Sequence, residues 1–295
     1  MAPSETAADI RLLVLDIDGT IVDASNRTRG SVTRAIHAAE HRGVAVAIAT
    51  GRLYQSALCA YESIGSTLPL ICCEGALIRQ PQTGYVHRHW PLKPDAVALM
   101  LEHTEPLSRS GCLSVHLYTQ DNLYVSNLND ASIRYLGGSK VEPIVVSDLR
   151  QLLLNQAATK VIVLSDDVEV IARLSSRLKN SSSRTEVRQY QSIAFLEAFH
   201  PAVNKRLAVS YLAEEVMGLR PENVMAIGDD FTDLEMLRYA GIGVAMGNAP
   251  AGVKASADWV TTSVEEDGVA EAVEKWIFDC QFQSRPDAAY ISSVG

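Results

Sequence analysis

The sequence has few of the features that mark secreted or membrane proteins. Its five cysteines among 295 residues form no Cys-x-x-Cys pair, which favours free thiols in a reducing compartment over a disulfide framework. No run approaches the ~20 apolar residues of a membrane span, and residues 1–16 lack a basic segment followed by an apolar stretch of signal-peptide length. We therefore expect a cytoplasmic protein that does not bind membranes.

The sequence is also poor in positive charge. Lysine and arginine number 26 against 35 aspartates and glutamates, a net charge of −9 with no basic patch, so we expect no nucleic-acid partner. Neither G-x-G-x-x-G nor G-x-x-x-x-G-K-[ST] occurs, which excludes dinucleotide and P-loop sites by spacing. With 47% hydrophobic residues, the composition is that of an ordinary globular protein.

Apolar runs of strand length alternate with segments of helical spacing, and this alternation predicts a doubly wound (Rossmann-like) α/β fold with a mainly parallel sheet. The predicted strands span 12–15, 44–48, 69–73, 224–227 and 242–245, and the predicted helices span 31–42, 53–64 and 204–217.

Between these two halves the apolar runs become shorter and alternate with polar residues, which predicts an inserted α+β cap domain. We place the core at 1–80 and 200–295 and the cap at 81–199, with strands at 113–118 and 122–126 and helices at 93–104, 129–137 and 166–179. The polar stretch 180–183 is expected to be a loop, and residues 1–9 and 281–295 are expected to be loose tails.

Four polar positions lie just after predicted core strands or at helix starts, where open α/β sheets bind ligands. They are Asp16-Ile17-Asp18-Gly19-Thr20, Thr50-Gly51-Arg52, Lys205 and Gly228-Asp229-Asp230-Phe231-Thr232-Asp233. Each alone has an ordinary structural interpretation as a turn, a helix cap or a solvated surface residue. The occurrence of all four in this order along the chain is much harder to explain by four independent structural roles.

These motifs resemble the signatures of the haloacid-dehalogenase superfamily, and within it the Cof-type phosphatases with a class IIB cap. The resemblance covers nearly the whole chain, and DxDGT followed by GDxxxD is a specific combination. It implies an Mg²⁺-dependent phosphatase that acts through an aspartyl-phosphate.

The resemblance also implies a role for each matching residue. Asp16 is the nucleophile and Asp18 the general acid and base, while Asp16, Asp229 and the backbone carbonyl of Asp18 hold Mg²⁺. Thr50, Gly51 and Lys205 form the phosphate pocket.

Three positions depart from the common pattern of the family. Arg206 follows the lysine where glycine is frequent, and Thr232 precedes the last aspartate where asparagine is frequent. The Thr232 hydroxyl is still able to serve a phosphate or a metal-bound water. Glu74 stands where asparagine is common, and its charge favours a substrate with a basic or hydroxyl-rich head. We expect Asp233 to orient Lys205 or a metal-bound water.

The resulting hypothesis is a phosphatase of small phosphorylated metabolites, chiefly sugar phosphates, acting as a monomer or homodimer. One alternative is a sugar phosphomutase on the same fold, and another is a non-catalytic phosphate-binding regulatory module.

Other candidate side chains favour structural interpretations. His87 and His89 lack a third metal ligand at suitable spacing, Cys72 and Cys73 read as buried thiols, and Trp90 and Tyr118 are at least as well explained by core packing as by sugar stacking.

Overall fold

A computed structural model of the chain describes residues 9–120, 122–137, 141–179, 184–190 and 193–279. The chain forms two compact units. The first comprises Met1–Ile48, Ser63–Leu68 and Val209–Gly295, and the second comprises Ala49–Glu62 and Pro69–Ala208. The domain boundaries expected from the sequence, at 80/81 and 199/200, stay a prediction.

Strands and helices alternate through the first part of the chain and again near its end. The strands are, in chain order, β1 (Leu12–Leu15), β2 (Ala45–Ile48), β3 (Leu70–Cys72), β4 (Leu77–Arg79), β5 (Val86–His89), β6 (Ser114–Tyr118), β7 (Leu123–Val125), β8 (Ile144–Val145), β9 (Lys160–Ser165), β10 (Arg184–Tyr190), β11 (Ile193–Phe199), β12 (Val224–Gly228), β13 (Ile242–Ala245) and β14 (Trp259–Val260). The α-helices are α1 (Gly30–His41), α2 (Tyr54–Ser63), α3 (Pro94–Arg109), α4 (Asp130–Leu136), α5 (Val168–Leu178), α6 (Lys205–Ser210), α7 (Leu234–Tyr239), α8 (Ala251–Lys254) and α9 (Gly268–Val273). Short 3₁₀ turns cover Cys73–Gly75, Leu149–Leu154, Pro221–Asn223, Phe231–Asp233 and Val264–Glu266, and π-helical turns cover Tyr211–Val216 and Glu274–Asp279.

The first unit is built on a five-stranded sheet in the order β14-β13-β12-β1-β2, and every pairing in it is parallel. From β1 the chain goes to β2 on one side, and it later returns to β12 on the other side. This is the doubly wound arrangement that the sequence predicts. All four residues of β1 are buried, which accounts for its uninterrupted apolar run.

The second unit contains a six-stranded mixed sheet in the order β10-β11-β9-β6-β7-β8. Alternate residues of β9 enter separate cores, because successive side chains of a strand point to opposite faces. Val161 and Val163 pack in the core that includes residues of α3 and α5. Ile162 and Leu164 pack in the core that includes Ala131 of α4. These strands and helices form the α+β part of the predicted fold, and the fold class is confirmed.

One predicted strand pairs differently from the expectation. The run at 69–73 is expected to be the third strand of the parallel sheet, but β3 belongs to a separate three-stranded sheet, β3-β4-β5, with antiparallel pairing. Within the described residues, its parallel pairing is limited to a single bridge between Ala49 and Ile71. A short buried apolar run shows that a strand is present but does not specify its neighbours.

Most predicted helix bounds lie within two residues of the observed ones. The helix predicted to end at residue 104 instead continues as α3 to Arg109, with Pro106 inside its last turns. The helix predicted over 204–217 is α6 followed by the π-helical turn Tyr211–Val216. The predicted loop 180–183 lies outside the described residues, as do the predicted tails except for residue 9. None of the described helices combines the length and the apolar composition needed to cross a bilayer.

Candidate active site

Two adjacent parallel strands bring acidic residues together at their carboxyl ends. Leu15 of β1 is in register with Ile227 of β12, and the N–H of Asp16 donates to the carbonyl of Ile227 at 3.1 Å. Asp16 therefore follows β1 beside the point where Asp229 follows β12. The strand order reverses between these two strands, which is where open α/β sheets bind ligands.

Three carboxylates meet at this point. Oxygen atoms of Asp16, Asp229 and Asp233 all lie within 4.8 Å of one another. Asp16 is 6% exposed and Asp233 is fully buried. Like charges this close repel one another, at about 4 kcal/mol per pair at 4 Å with an effective dielectric constant near 20. The cluster is therefore suited to a divalent cation with oxygen ligands.

Asp233 fixes the backbone of the loop that carries Asp229. Its Oδ2 accepts hydrogen bonds from the N–H of Asp229 at 2.9 Å and the N–H of Asp230 at 3.0 Å. A β-carbon at Gly228 would lie 2.5 Å from Cγ of Asp233, so this packing requires glycine at the end of β12. In the motif of residues 228–233, a carboxylate thus binds backbone N–H groups of its own loop in addition to its place in the acidic cluster.

Both carboxylate oxygens of Asp229 accept hydrogen bonds from side chains of the same unit. Thr20 Oγ1 donates to Oδ1 at 3.2 Å, and Asn248 Nδ2 donates to Oδ2 at 3.2 Å. Asn248 also donates to the carbonyl of Gly19 at 2.9 Å, and its Oδ1 accepts from the N–H of Val264 at 2.9 Å. Sequence reasoning gave Thr20 and Asn248 no role, although Thr20 belongs to the motif of residues 16–20.

Asp18 lies in the turn after β1, where a bridge joins it to Val22. It is exposed, and within the described residues its carboxylate is not part of the acidic cluster. Thr232, in the 3₁₀ turn Phe231–Asp233, is half-buried. An exposed carboxylate beside an acidic cluster is suited to proton transfer.

The second unit holds the residues Thr50, Gly51 and Arg52 in a defined loop. Thr50 donates its N–H to Ile71 and accepts from the N–H of Glu74, both at 3.0 Å. Arg52 accepts from the N–H of Cys73 at 3.0 Å, and its own N–H donates to Thr50 Oγ1 at 3.1 Å. Within the part of the chain that the structure describes, the N–H of Gly51 has no protein acceptor. Such a free N–H is suited to bind an anion.

The turn after β3 packs beside this loop and beside the start of α6. Cys73 and Glu74 have φ of 51° and 58°, a left-handed conformation that non-glycine residues rarely adopt. A β-carbon at Gly51 would lie 2.5 Å from Glu74 Oε1, and one at Gly75 would lie 2.8 Å from the carbonyl oxygen of Asn204. The second unit therefore brings Gly51, the Glu74 turn and the residue before Lys205 close together.

Lys205, the first residue of α6, is buried at 1% exposure. A lysine that is so deeply buried requires acceptors for its ammonium group. Arg206, the next residue, is exposed, so its departure from the family pattern places a charge in solvent rather than in the interior.

The remaining candidates take structural roles. Both ring nitrogens of His89 have partners, Thr159 Oγ1 at 3.0 Å and Gln120 Nε2 at 3.1 Å, and the ring of His87 packs against Tyr85. Cys72 and Cys73 are buried, and burial raises the pKa of the Cys73 thiol to about 11. Tyr118 is buried in one of the cores of the mixed sheet.

The sequence matches a family of known proteins over most of its length. A model of the haloacid dehalogenase-like hydrolase family matches residues 13–273. Two relatives from Bacillus subtilis, both named 5-amino-6-(5-phospho-D-ribitylamino)uracil phosphatase, are 29% and 28% identical. They align with 90% and 94% of this chain and with 97% and 100% of their own lengths. A crystal structure of a haloacid dehalogenase-like hydrolase from Bacteroides thetaiotaomicron superimposes with a TM-score of 0.79 at 26% identity, covering 90% of this chain and 99% of that one.

Proposed function

This chain belongs to the haloacid dehalogenase-like hydrolase family and is a phosphoric monoester hydrolase, and from that premise we propose that it is an Mg²⁺-dependent phosphatase of small phosphorylated metabolites, chiefly sugar phosphates. The observation that carries the proposal is the meeting of Asp16, Asp229 and Asp233 at the carboxyl ends of β1 and β12.

The donor set of this cluster fits magnesium. Mg²⁺ binds through one or two carboxylates together with waters and substrate phosphate oxygens, and the acidic cluster offers hard oxygen atoms without histidine or cysteine. We assign the ion to Asp16, Asp229 and the backbone carbonyl of Asp18, with Asp233 as a supporting residue. When bound, the ion supplies positive charge that offsets the repulsion between a carboxylate and a phosphate dianion.

Asp16 and Asp18 divide the chemistry between them. A carboxylate oxygen of Asp16 attacks phosphorus and forms an aspartyl-phosphate, while the bond from phosphorus to the ester oxygen breaks and Asp18 donates a proton to the departing alcohol. Water then attacks the phosphoenzyme, Asp18 takes a proton from it, and inorganic phosphate leaves as the carboxylate of Asp16 is restored. The exposure of Asp18 supports this exchange of protons with water.

Phosphate binding is assigned to Thr50, Gly51, Lys205 and Thr232. The N–H of Gly51, which has no acceptor among the described residues, and the hydroxyl of Thr50 supply hydrogen-bond donors, and Lys205 supplies a positive charge. Glu74, whose carboxylate packs against Gly51, favours substrates rich in hydroxyl or basic groups, since it repels further negative charge. The names of the two Bacillus subtilis relatives, which specify a phosphorylated ribitylamino compound, agree with a hydroxyl-rich substrate.

A turnover screen tests the proposal. Purified protein is incubated with phosphorylated sugars, sugar alcohols, nucleotides and cofactors, with Mg²⁺ or with EDTA, and inorganic phosphate is measured. We expect release from sugar phosphates that EDTA abolishes and added Mg²⁺ restores, and Asp16→Asn is expected to be inactive while still folded. Asp95→Asn, on the exposed first turn of α3, is the matched control and should retain full activity.

The screen also separates the alternative functions. Isomerisation of a sugar phosphate without release of inorganic phosphate would identify a mutase, and Mg²⁺-dependent binding without turnover would identify a regulatory module. Undiminished activity of Asp16→Asn would remove the proposed nucleophile.

A further inference from the structure

A buried lysine of the mixed sheet reaches the Thr50–Arg52 loop. Lys160, the first residue of β9, is 4% exposed. Its Nζ donates to Glu197 Oε1 at 3.1 Å and to the carbonyl oxygen of Gly51 at 3.2 Å. The rings of Tyr118 and Phe199 lie 5.5 and 5.9 Å from Nζ. The ammonium group therefore sits between aromatic rings, a carboxylate and one backbone carbonyl.

Stability alone is a poor reason for a charged pair in this position. Burial of two ions carries a large desolvation cost, and replacement of a buried pair by apolar side chains is often neutral or stabilising. Burial by itself lowers the pKa of Lys160, but the adjacent Glu197 carboxylate raises it above its ordinary value, so the group is charged at neutral pH. The charged ammonium group donates a hydrogen bond to the carbonyl of Gly51, which an apolar side chain at this position would not do.

The carbonyl of Gly51 differs from its neighbours in how it is held. The carbonyls of Thr50 and Arg52 accept backbone N–H groups from Glu74 and Cys73, in the turn after β3. The carbonyl of Gly51 accepts instead from Lys160, which is 109 positions away in the chain. One side chain from the mixed sheet thus completes the hydrogen bonding of the loop carbonyls.

This contact lies at the start of a short chain of hydrogen bonds. The carbonyl of Gly51 and the N–H of Arg52 belong to one peptide group, and that N–H donates to Thr50 Oγ1 at 3.1 Å. A charged donor on the carbonyl polarises the peptide and strengthens the bond from its N–H. With one lone pair engaged by Arg52, the Thr50 hydroxyl is oriented to donate its own proton to another acceptor.

We propose that Lys160 is a positioning residue for phosphate binding, which holds the peptide group between Gly51 and Arg52 and thereby orients the Thr50 hydroxyl and the Gly51 N–H. The proposal rests on the assignment of Thr50 and Gly51 to phosphate binding above. Because those donors face the phosphoryl oxygens before and during the reaction, loss of Lys160 weakens the ground state and the transition state alike.

The double variant K160M/E197L tests this role without leaving an unpaired buried charge. The variant has two apolar side chains in place of the ion pair and is expected to fold. It nevertheless lacks the donor to the carbonyl of Gly51. We expect the KM for 4-nitrophenyl phosphate and the dissociation constant of inorganic phosphate to rise about tenfold. This corresponds to the lower end of the free-energy range for a hydrogen bond that involves a charged group. The kcat should stay within about threefold, as expected when binding is lost uniformly. Inorganic phosphate is titrated calorimetrically in the presence of Mg²⁺.

Ser132→Ala is the matched control. Ser132 is buried in α4 and contacts His116 of β6 at 2.9 Å, so the variant weakens the same unit without a contact to the Thr50–Arg52 loop. It should lower the unfolding temperature and leave both phosphate constants unchanged. An equal rise in KM for Ser132→Ala and K160M/E197L would overturn the proposal, because the effect would then follow general stability.

The two measurements separate this inference from the proposed function. If wild-type protein hydrolyses esters and K160M/E197L is folded with unchanged phosphate constants, the role of Lys160 is refuted while the phosphatase stands. If wild-type protein binds phosphate but hydrolyses no ester, the proposed function fails, and the calorimetric comparison still decides the role of Lys160. If wild-type protein neither hydrolyses esters nor binds inorganic phosphate, both proposals are refuted.

Discussion

The side chain of Asp233 holds the backbone of Asp229 in place. Its Oδ2 accepts the N–H groups of both Asp229 and Asp230, while the same carboxylate lies in the cluster with Asp16 and Asp229. One buried acid thus shapes the loop and adds negative charge to the proposed metal site. These two contributions are separable by mutation.

Asp233→Ala and Asp233→Asn should differ in stability, and both should bind Mg²⁺ more weakly than the wild-type protein. The alanine variant removes the acceptor of two N–H groups, so its free energy of unfolding should fall by about 1–3 kcal/mol. The asparagine variant keeps an acceptor oxygen and should lose less than half of that amount. Both remove a charge, so both should bind Mg²⁺ more weakly. Urea unfolding in EDTA and calorimetric Mg²⁺ titration provide the measurements, and equal stability of the two variants would contradict the backbone role.

Glycine at position 19 should be essential for the position of Asp229. Gly19 has a φ of 74°, and a β-carbon there would overlap Oδ2 of Asp229. Gly43 is a matched control, because its φ is 84° and a β-carbon there would meet nothing within 4 Å. Alanine in the left-handed region costs about 1–2 kcal/mol at either position.

Gly19→Ala should therefore combine that loss of stability with weakened Mg²⁺ binding and low turnover, whereas Gly43→Ala should lose stability alone. Denaturant unfolding, metal titration and phosphate release measure the three effects. The prediction fails if the two variants bind Mg²⁺ equally well.

Asp18→Asn should separate catalysis from metal binding. An asparagine side chain is unable to donate or accept the proton exchanged with the leaving alcohol and water, so kcat should fall by about 10²–10⁴-fold. The Asp18 carboxylate lies outside the acidic cluster among the described residues, so the Mg²⁺ dissociation constant should change little. Steady-state kinetics and calorimetry check both values. A large loss of Mg²⁺ affinity would show that the side chain is a ligand.

His116 should make the stability of the protein depend on pH. Burial lowers its pKa from 6.5 to about 3, and its ring contacts Ser132, Tyr118 and Tyr135. The unfolded chain binds a proton at His116 below pH 6.5 and the folded chain does not, so stability is lost as the pH falls through this window.

Between pH 6.5 and 5.0 this one group should lower the free energy of unfolding by about 1.7 kcal/mol, since the loss per pH unit rises from half of about 1.4 kcal/mol at pH 6.5 to nearly all of it at pH 5.0. His116→Gln should lose correspondingly less stability over the same interval, and the other titrating groups cancel in that comparison. Urea titrations at the two pH values give the difference, and identical pH dependence of the two proteins would refute the prediction.

The parallel sheet was largely predictable from the sequence because its strands are buried on both faces. The runs that form β1, β2, β12 and β13 are continuous and apolar, and each is bounded by a turn or a helix. The pairing of β3 was not predictable, since three buried residues carry no periodicity that separates a parallel neighbour from the antiparallel β4. The extent of α3 was underestimated because Pro106 normally marks a helix end.

The candidate site was predictable where chemistry follows a strand end directly. Asp16 and Asp229 each occupy that position, and their strands are adjacent. The hydrogen bonds from Thr20 and Asn248 to Asp229 depend on loop conformation that no spacing rule supplies. Lys160 gave no signal at all, because a single lysine at the start of a strand reads as a surface residue and its partner Glu197 belongs to another strand.

The two adjacent free thiols at the end of β3 allow local opening of the second unit to be measured directly. Cys72 and Cys73 are buried, and burial raises the pKa of both thiols; they should therefore be slow to alkylate, since the thiolate is the reactive form. Both adjoin the Glu74 turn that packs against Gly51. Mass-spectrometric detection of alkylation at these two positions would thus report opening of the Thr50–Arg52 loop without an attached dye or an engineered probe.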